Sequence, residues 1–307
     1  MSAPVQERPT RRALQPTDRN AIANRLLASS AKASYDPMVE IDWEAPLPDG
    51  LYGMTPEWSS LYGTPLWESM SEADRITLTK HEFASISGVG IWFEMILMHL
   101  VLRDIYDQDP ATPHVQYALT EIADECRHSV MFARVAEKFG APSYGPTRHV
   151  NHLGRIFKTL TFGANVYAGI LVAEEILDIF QRDMIKDERV QPITRTASRI
   201  HVVEEARHMR FAREEIVRRT QHMNRFERQE QRAVLATVAY YIATSLVHPD
   251  VYRSVGLDPK AAKRVARNNE HYTEKLRNAA SGLTEFLNDV GLIGGPSVRL
   301  WKKANLL

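Results

Sequence analysis

The sequence predicts an all-α fold, a four-helix bundle with additional peripheral helices. Three observations carry this. From Ser71 onward apolar residues recur at helical spacing. Pro- and Gly-containing breaks separate the helical stretches. No stretch between turn signals alternates polar and apolar residues as a half-buried strand would.

Taken in order, residues 1–20 are polar and rich in Pro and Arg, and Asp18 to Lys32 reads as a short amphipathic helix, so residues 1–34 are expected to form a flexible arm with a short helix. Pro37, Pro46, Pro48 and Gly50 make 35–52 an extended wrapping, which Trp43, Trp58 and Trp67 would pack against a larger body. Ser71 with Asp74 three residues on is a capping-box variant, opening a helix that runs to about Tyr106. DQDPATP (107–113) breaks it, and a second helix runs from Pro113 to Phe139, ended by Gly140 and Pro142. A third spans about 151–188 with an interruption near Gly163. RVQP (189–192) precedes a fourth, Ile193 to Thr220. Phe226–Val247 and one long helix over Pro259–Asn288 follow, then a loop tail over 291–307 anchored by Trp301. The bundle centre is therefore 72–106, 113–139, 154–188 and 193–220, within a single helical domain over 35–290.

Charge excludes some partners. Acidic and basic residues balance at 38 each, so no field gathers nucleic acid. The single cysteine, Cys126, rules out an internal disulfide framework and suits a reducing compartment. The N-terminus lacks the apolar core of a secretory signal. The most apolar run, 89–102, is shorter than the roughly 20 residues a membrane span needs and contains Glu94 and His99. A buried core helix, and a cytoplasmic protein without a membrane partner, are expected.

The chemistry lies in a repeat. Asp124-Glu125-Cys126-Arg127-His128 and Glu204-Glu205-Ala206-Arg207-His208 both read acid-Glu-x-Arg-His. On a helix, residues three apart lie about 60° from each other, so each motif sets a carboxylate beside an imidazole. One such motif is a weak signal; two on different helices are far stronger. Thirty-one residues separate Glu94 from Glu125, and Glu174 from Glu205. The midpoints of both intervals fall in DQDPATP and RVQP, so each Glu faces its motif across an antiparallel hairpin.

Glu94, Glu125 and His128 in one half and Glu174, Glu205 and His208 in the other then match the ferritin-like pattern of two-metal carboxylate proteins, one Glu from each of two helices and Glu-x-x-His from the other two. Glu94 and Glu174 sit in strongly apolar sequence, where an ionised carboxylate costs several kcal/mol, to an order of magnitude, unless a cation compensates it. Asp124 and Glu204 are placed to accept the free N–H of the opposite motif's His, with Arg127 and Arg207 pairing with those acids. Cys126 is about 100° off the ligand face, which fits packing. His201 shares the stripe of Glu205 and His208, where a satisfied core imidazole is the ordinary explanation; its counterpart seven before His128 is Glu121. Gly88 and Gly90 fit either substrate room or close helix packing.

With these residues in view, the chain over roughly 35–290 resembles the di-iron arylamine N-oxygenases, through Glu94, Asp124-Glu125-x-Arg-His128, Glu174 and His201-x-x-x-Glu205-x-x-His208. The resemblance implies His201 as a seventh ligand, two iron ions with manganese as the substitute in either position, a homodimer, O2 as co-substrate, and oxidation of an aromatic amine to hydroxylamine, nitroso and nitro products. A ferredoxin or reductase would donate electrons. Aminobenzoate-oxidising members carry a basic residue about five before the first Glu; Val89 stands there, implying a substrate other than 4-aminobenzoate. A di-iron hydroxylase or desaturase acting on carbon would use the same ligands. A ferritin-type metal store would need only a shorter bundle.

Overall fold

A computed structural model describes residues 14–307, and the first thirteen residues of the expected arm lie outside the described residues. The N-terminal helices are α1 (Arg19–Ser30), α2 (Pro37–Glu40) and α3 (Pro65–Ser69). The long ones follow as α4 (Glu72–Ile105), α5 (Pro113–Lys138), α6 (Arg148–Leu160), α7 (Asn165–Lys186), α8 (Pro192–Thr220) and α9 (Arg225–Ser245). α10 (Pro259–Arg267), α11 (Glu270–Ala279), α12 (Ser281–Asp289) and α13 (Val298–Lys303) close the chain. No strand occurs among the described residues, only an isolated bridge between Tyr52 and Val190.

The bundle is two antiparallel hairpins, α4 with α5 and α7 with α8, packed together along α5–α8 and α4–α7. Local chemistry sets the ends. The Ser71 hydroxyl accepts the Asp74 backbone N–H at 3.1 Å, capping α4 as the sequence predicts. Thr112 caps α5, with Pro113 in the first turn where its missing N–H costs nothing. The α5 helix stops at Gly140, whose φ of 65° is left-handed.

α4 is long and apolar enough to cross a membrane by length and composition, a test it passes although the run read from sequence falls short. Its apolar side chains, Phe93, Leu97, Leu100 and Val101 among them, are instead buried in the protein core. It also turns Glu82 and Glu94 inward. Glu82 ties the wrapping to the bundle by accepting the Ser60 backbone N–H at 2.9 Å. Trp58 and Trp67 are buried, and Trp43 packs at the edge of the core.

The interruption expected near Gly163 is present, and two other elements differ from the sequence reading. The third bundle helix is split into α6 and α7 across Thr161–Ala164, and Arg103 anchors the C-terminal end of α6 by donating to the Lys158 and Thr159 carbonyls, each at 2.7 Å. The expected helix over 259–288 is three helices. Asn269 breaks it because its side chain caps α11 while its amide reaches the Ser60 and Tyr62 carbonyls at 2.9 and 3.0 Å. In the tail, Trp301 is fully buried, carried by the short α13 rather than by a loop. Residues 14–34 hold α1, which lies on α5 and α8 with Ile22, Ala23 and Leu26 buried.

Candidate metal centre

Glu94 on α4, Glu125 and His128 on α5, Glu174 on α7, and His201, Glu205 and His208 on α8 are all buried and converge midway along the bundle. His128 Nδ1 lies 3.3 Å from Glu125 Oε2 and 3.3 Å from Glu205 Oε1. His208 Nδ1 lies 3.1 Å from Glu125 Oε1 and 2.9 Å from Glu205 Oε1. The Nε2 of His201 sits 3.6 Å from Glu205 Oε1, 3.9 Å from Glu174 Oε2 and 4.0 Å from Glu94 Oε1. The two halves read from sequence therefore interleave. Glu125 presents one oxygen to each motif imidazole, and Glu205 belongs both to the triad with His128 and His201 and to the triad with Glu125 and His208. Helix crossing brings the α5 and α8 motifs face to face, so each motif's Glu meets the other's His.

The outward edges of the imidazoles are crossed as well. His128 Nε2 is 2.7 Å from Glu204 Oε2, and His208 Nε2 is 3.2 Å from Asp124 Oδ2. Arg127 pairs with Asp124, while Arg207 Nη2 lies 3.6 Å from Asp124 and 3.8 Å from Glu204. A strap at residues 33–35 covers this side. The Tyr35 backbone N–H donates to Glu204 at 2.9 Å, Arg207 donates to the Ala33 carbonyl at 2.9 Å, and Arg127 donates to the Ser34 hydroxyl at 3.1 Å. Cys126 is exposed, its sulfur 3.5 Å from that of Met98.

Electrostatics match a cluster short of positive charge. Burial, then the charges of neighbouring carboxylates, pushes Glu94 up to about 8 and Glu174 well above the carboxylate range. Burial would raise Glu125 and Glu205 too, but the motif imidazoles hold both below their ordinary range. Burial would lower His128 and His208; their carboxylate partners overcome it and raise both well above the usual imidazole value. For His201 burial outweighs the nearby Glu205, so it falls to about 4 and is neutral. No hydrogen bond reaches Glu174 Oε2 or Glu205 Oε2. Four carboxylates, neutral or imidazole-bound, with orphaned oxygens and inward-facing nitrogens, form a donor set suited to a pair of divalent cations.

Sequence reasoning missed Gln181 and Ser129, and named Glu121 without giving it a role. Gln181 on α7 meets His201 Nδ1 through Oε1 at 2.7 Å, so Nδ1 carries the proton and Nε2 offers its lone pair inward. Its position seven beyond Glu174, two turns on the same face, was the available signal. Ser129 donates to Glu94 Oε2, which no spacing announces. Glu121 occupies the place that His201 holds in the other half, fully buried with neither oxygen hydrogen-bonded, and burial raises it to about 8. The two glycines also separate. A Cβ at Gly88 would run into the Tyr144 carbonyl oxygen, so Gly88 serves close packing; a Cβ at Gly90 meets nothing within 4 Å.

Uncharacterised proteins of Mycobacterium bovis and Mycobacterium tuberculosis are 27% identical to this chain over 211 residues, 66% of the chain and 62% of each relative. The match thus spans less than two-thirds of their length. A family model described as P-aminobenzoate N-oxygenase AurF matches residues 16–291.

Proposed function

Since this chain belongs to the P-aminobenzoate N-oxygenase family, we propose that it is a non-haem di-iron oxygenase that oxidises the nitrogen of an aromatic amine. The observation that supports this best is the convergence of seven buried donors from four helices, with the Nδ1 atoms of His128 and His208 and the Nε2 atom of His201 all facing the carboxylates. Glu94, Glu125, His128, Glu174, His201, Glu205 and His208 would hold the two ions. Two irons held there would supply the capacity to activate O2 and transfer oxygen to the substrate, with electrons from a ferredoxin- or reductase-type donor.

The chain's own residues do the rest. Asp124 and Glu204 fix protons on the Nε2 atoms of His208 and His128 and so keep the Nδ1 lone pairs inward once metal is bound. Gln181 does the same for His201 from the opposite nitrogen. Phe83, Phe132 and Phe180, with Gln181, wall a space of only 20 Å³ beside Glu94 and His201, room for about one water. Such aromatic walls leave little room for water beside the reacting end of the substrate. A homodimer and a cytoplasmic setting belong to the same reading.

The test is to load the protein anaerobically with Fe(II), count bound metal, then admit O2 with aniline derivatives and separate the products. Two ions per chain and arylhydroxylamine or nitroso product are expected. Oxygen inserted only into carbon would replace this reading with a hydroxylase or desaturase; two bound manganese ions in protein purified without added metal would revise the metal.

A further inference from the structure

Helices α4, α6, α7 and α9 line a partly open cavity of 490 Å³, large enough for a drug-sized molecule. Its walls are hydrocarbon, with Val89, Phe93 and Ile96 from α4, Phe157 from α6 and Val238 from α9. The lining contains no Lys, Arg or His, and its single charged side chain is Glu230, which is exposed. Asn165 and Gln231 are the buried amides, and they are bound to each other; the Asn165 backbone N–H donates to Gln231 Oε1 at 3.0 Å and Asn165 Nδ2 to the Gln231 carbonyl at 3.0 Å. That leaves Asn165 Oδ1, a buried acceptor without a partner.

This cavity adjoins the metal centre. Gly90 and Leu177 border it and also border the small space beside Glu94 and His201. Gly90 has no side chain to fill the gap, and space for a Cβ is open there. Leu177 is the one side chain that the two linings share besides Gly90, which has none.

We propose that this cavity is the substrate site and that it selects an uncharged aromatic amine extended by hydrocarbon, excluding one that bears a carboxylate. The amine end rests on the N-oxygenase reading above; the rest follows from the walls. A carboxylate in this cavity would surrender its hydration to a largely apolar lining that holds no cation and only a few neutral hydroxyls and amides. A hydrocarbon substituent loses nothing and gains by leaving water, about fourfold in affinity for each buried CH2.

The experiment is a calorimetric titration of the full-length protein, metal-free and iron-loaded, with aniline, 4-ethylaniline, 4-butylaniline, butylbenzene and 4-aminobenzoate at neutral pH. Affinity is expected to climb about threefold to fourfold per methylene along the anilines. 4-Aminobenzoate should bind at least tenfold more weakly than 4-ethylaniline, and Val238→Trp should cost 4-butylaniline tenfold or more. Equal binding of 4-aminobenzoate and 4-ethylaniline, or affinity flat in chain length, overturns the assignment. The two readings fail differently. If butylbenzene binds as 4-butylaniline does and no amine is oxidised, the cavity assignment stands and N-oxidation falls. If small anilines are oxidised while chain length leaves affinity unchanged, N-oxidation stands and the cavity assignment falls.

Discussion

Filling the centre with divalent metal at pH 7 should eject roughly four protons, because each ligand must be deprotonated at the atom it offers. The count comes from the ligand environments. Glu94, raised by burial to about 8, is about nine-tenths protonated at pH 7, and Glu174 is raised further in the same direction. His128 and His208, held cationic by the acids around them, each keep a proton on the inward Nδ1. Glu125 and Glu205 are already ionised and His201 is already neutral, so these three contribute none. The linked stability has a definite sign. Raised groups favour the fold below their unfolded pKa and cease to as pH climbs through the folded one, so metal-free protein should lose stability from about pH 5 to about pH 9. Ionising Glu94 alone costs on the order of 5 kcal/mol. Metal removes that cost, and the gap in melting temperature between loaded and metal-free protein should widen with pH. Titration with Zn(II) in buffers of different ionisation enthalpy gives the proton number directly. Release of fewer than two protons at pH 7 would refute the reasoning, since the buried acids and imidazoles would then not be holding protons in place of metal.

Further outcomes are expected from single substitutions. His201→Ala should lower metal stoichiometry towards one while helicity by circular dichroism is retained, and Gln181→Leu should weaken one of the two metal-binding steps tenfold to a hundredfold by releasing the imidazole's orientation. Gly90→Ala should raise stability by about 0.5–1 kcal/mol as an ordinary helix substitution into open space, whereas Gly88→Ala should lower it by about 1–3 kcal/mol through collision with the Tyr144 carbonyl, both read from urea unfolding. Trp301→Ala should cost about 3–5 kcal/mol in the same assay, because the whole indole that α13 carries is buried in the core.

The bundle and its donor set were legible because both are written in spacing. Period, caps and the equal intervals from Glu94 to Glu125 and from Glu174 to Glu205 reduce a three-dimensional arrangement to counting along helices. What depended on interhelical packing was not legible. The interleaving of the two halves comes from how α5 crosses α8, and Ser129 and Gln181 act through contacts between helices. The break at Asn269 required knowing that Ser60 and Tyr62 would lie beside it, more than two hundred residues away in sequence. Gly88 and Gly90, two residues apart and alike in sequence, differ only in what faces them.

The strap at Ala33–Tyr35 bars one side of the centre. Its backbone is bonded to Glu204 and Arg207, and just upstream Arg19 grips Glu215 at 2.8 Å, so the α5–α8 side stays shut while those contacts hold. On the proposed assignment, ions and small molecules approach from the side of Leu177, where the hydrocarbon cavity begins. A molecule lodged there acts as a cork. A chelator should strip metal more slowly from protein saturated with 4-butylaniline than from ligand-free protein, and residence of the metal becomes a property of the tenant next door as much as of the ligands themselves.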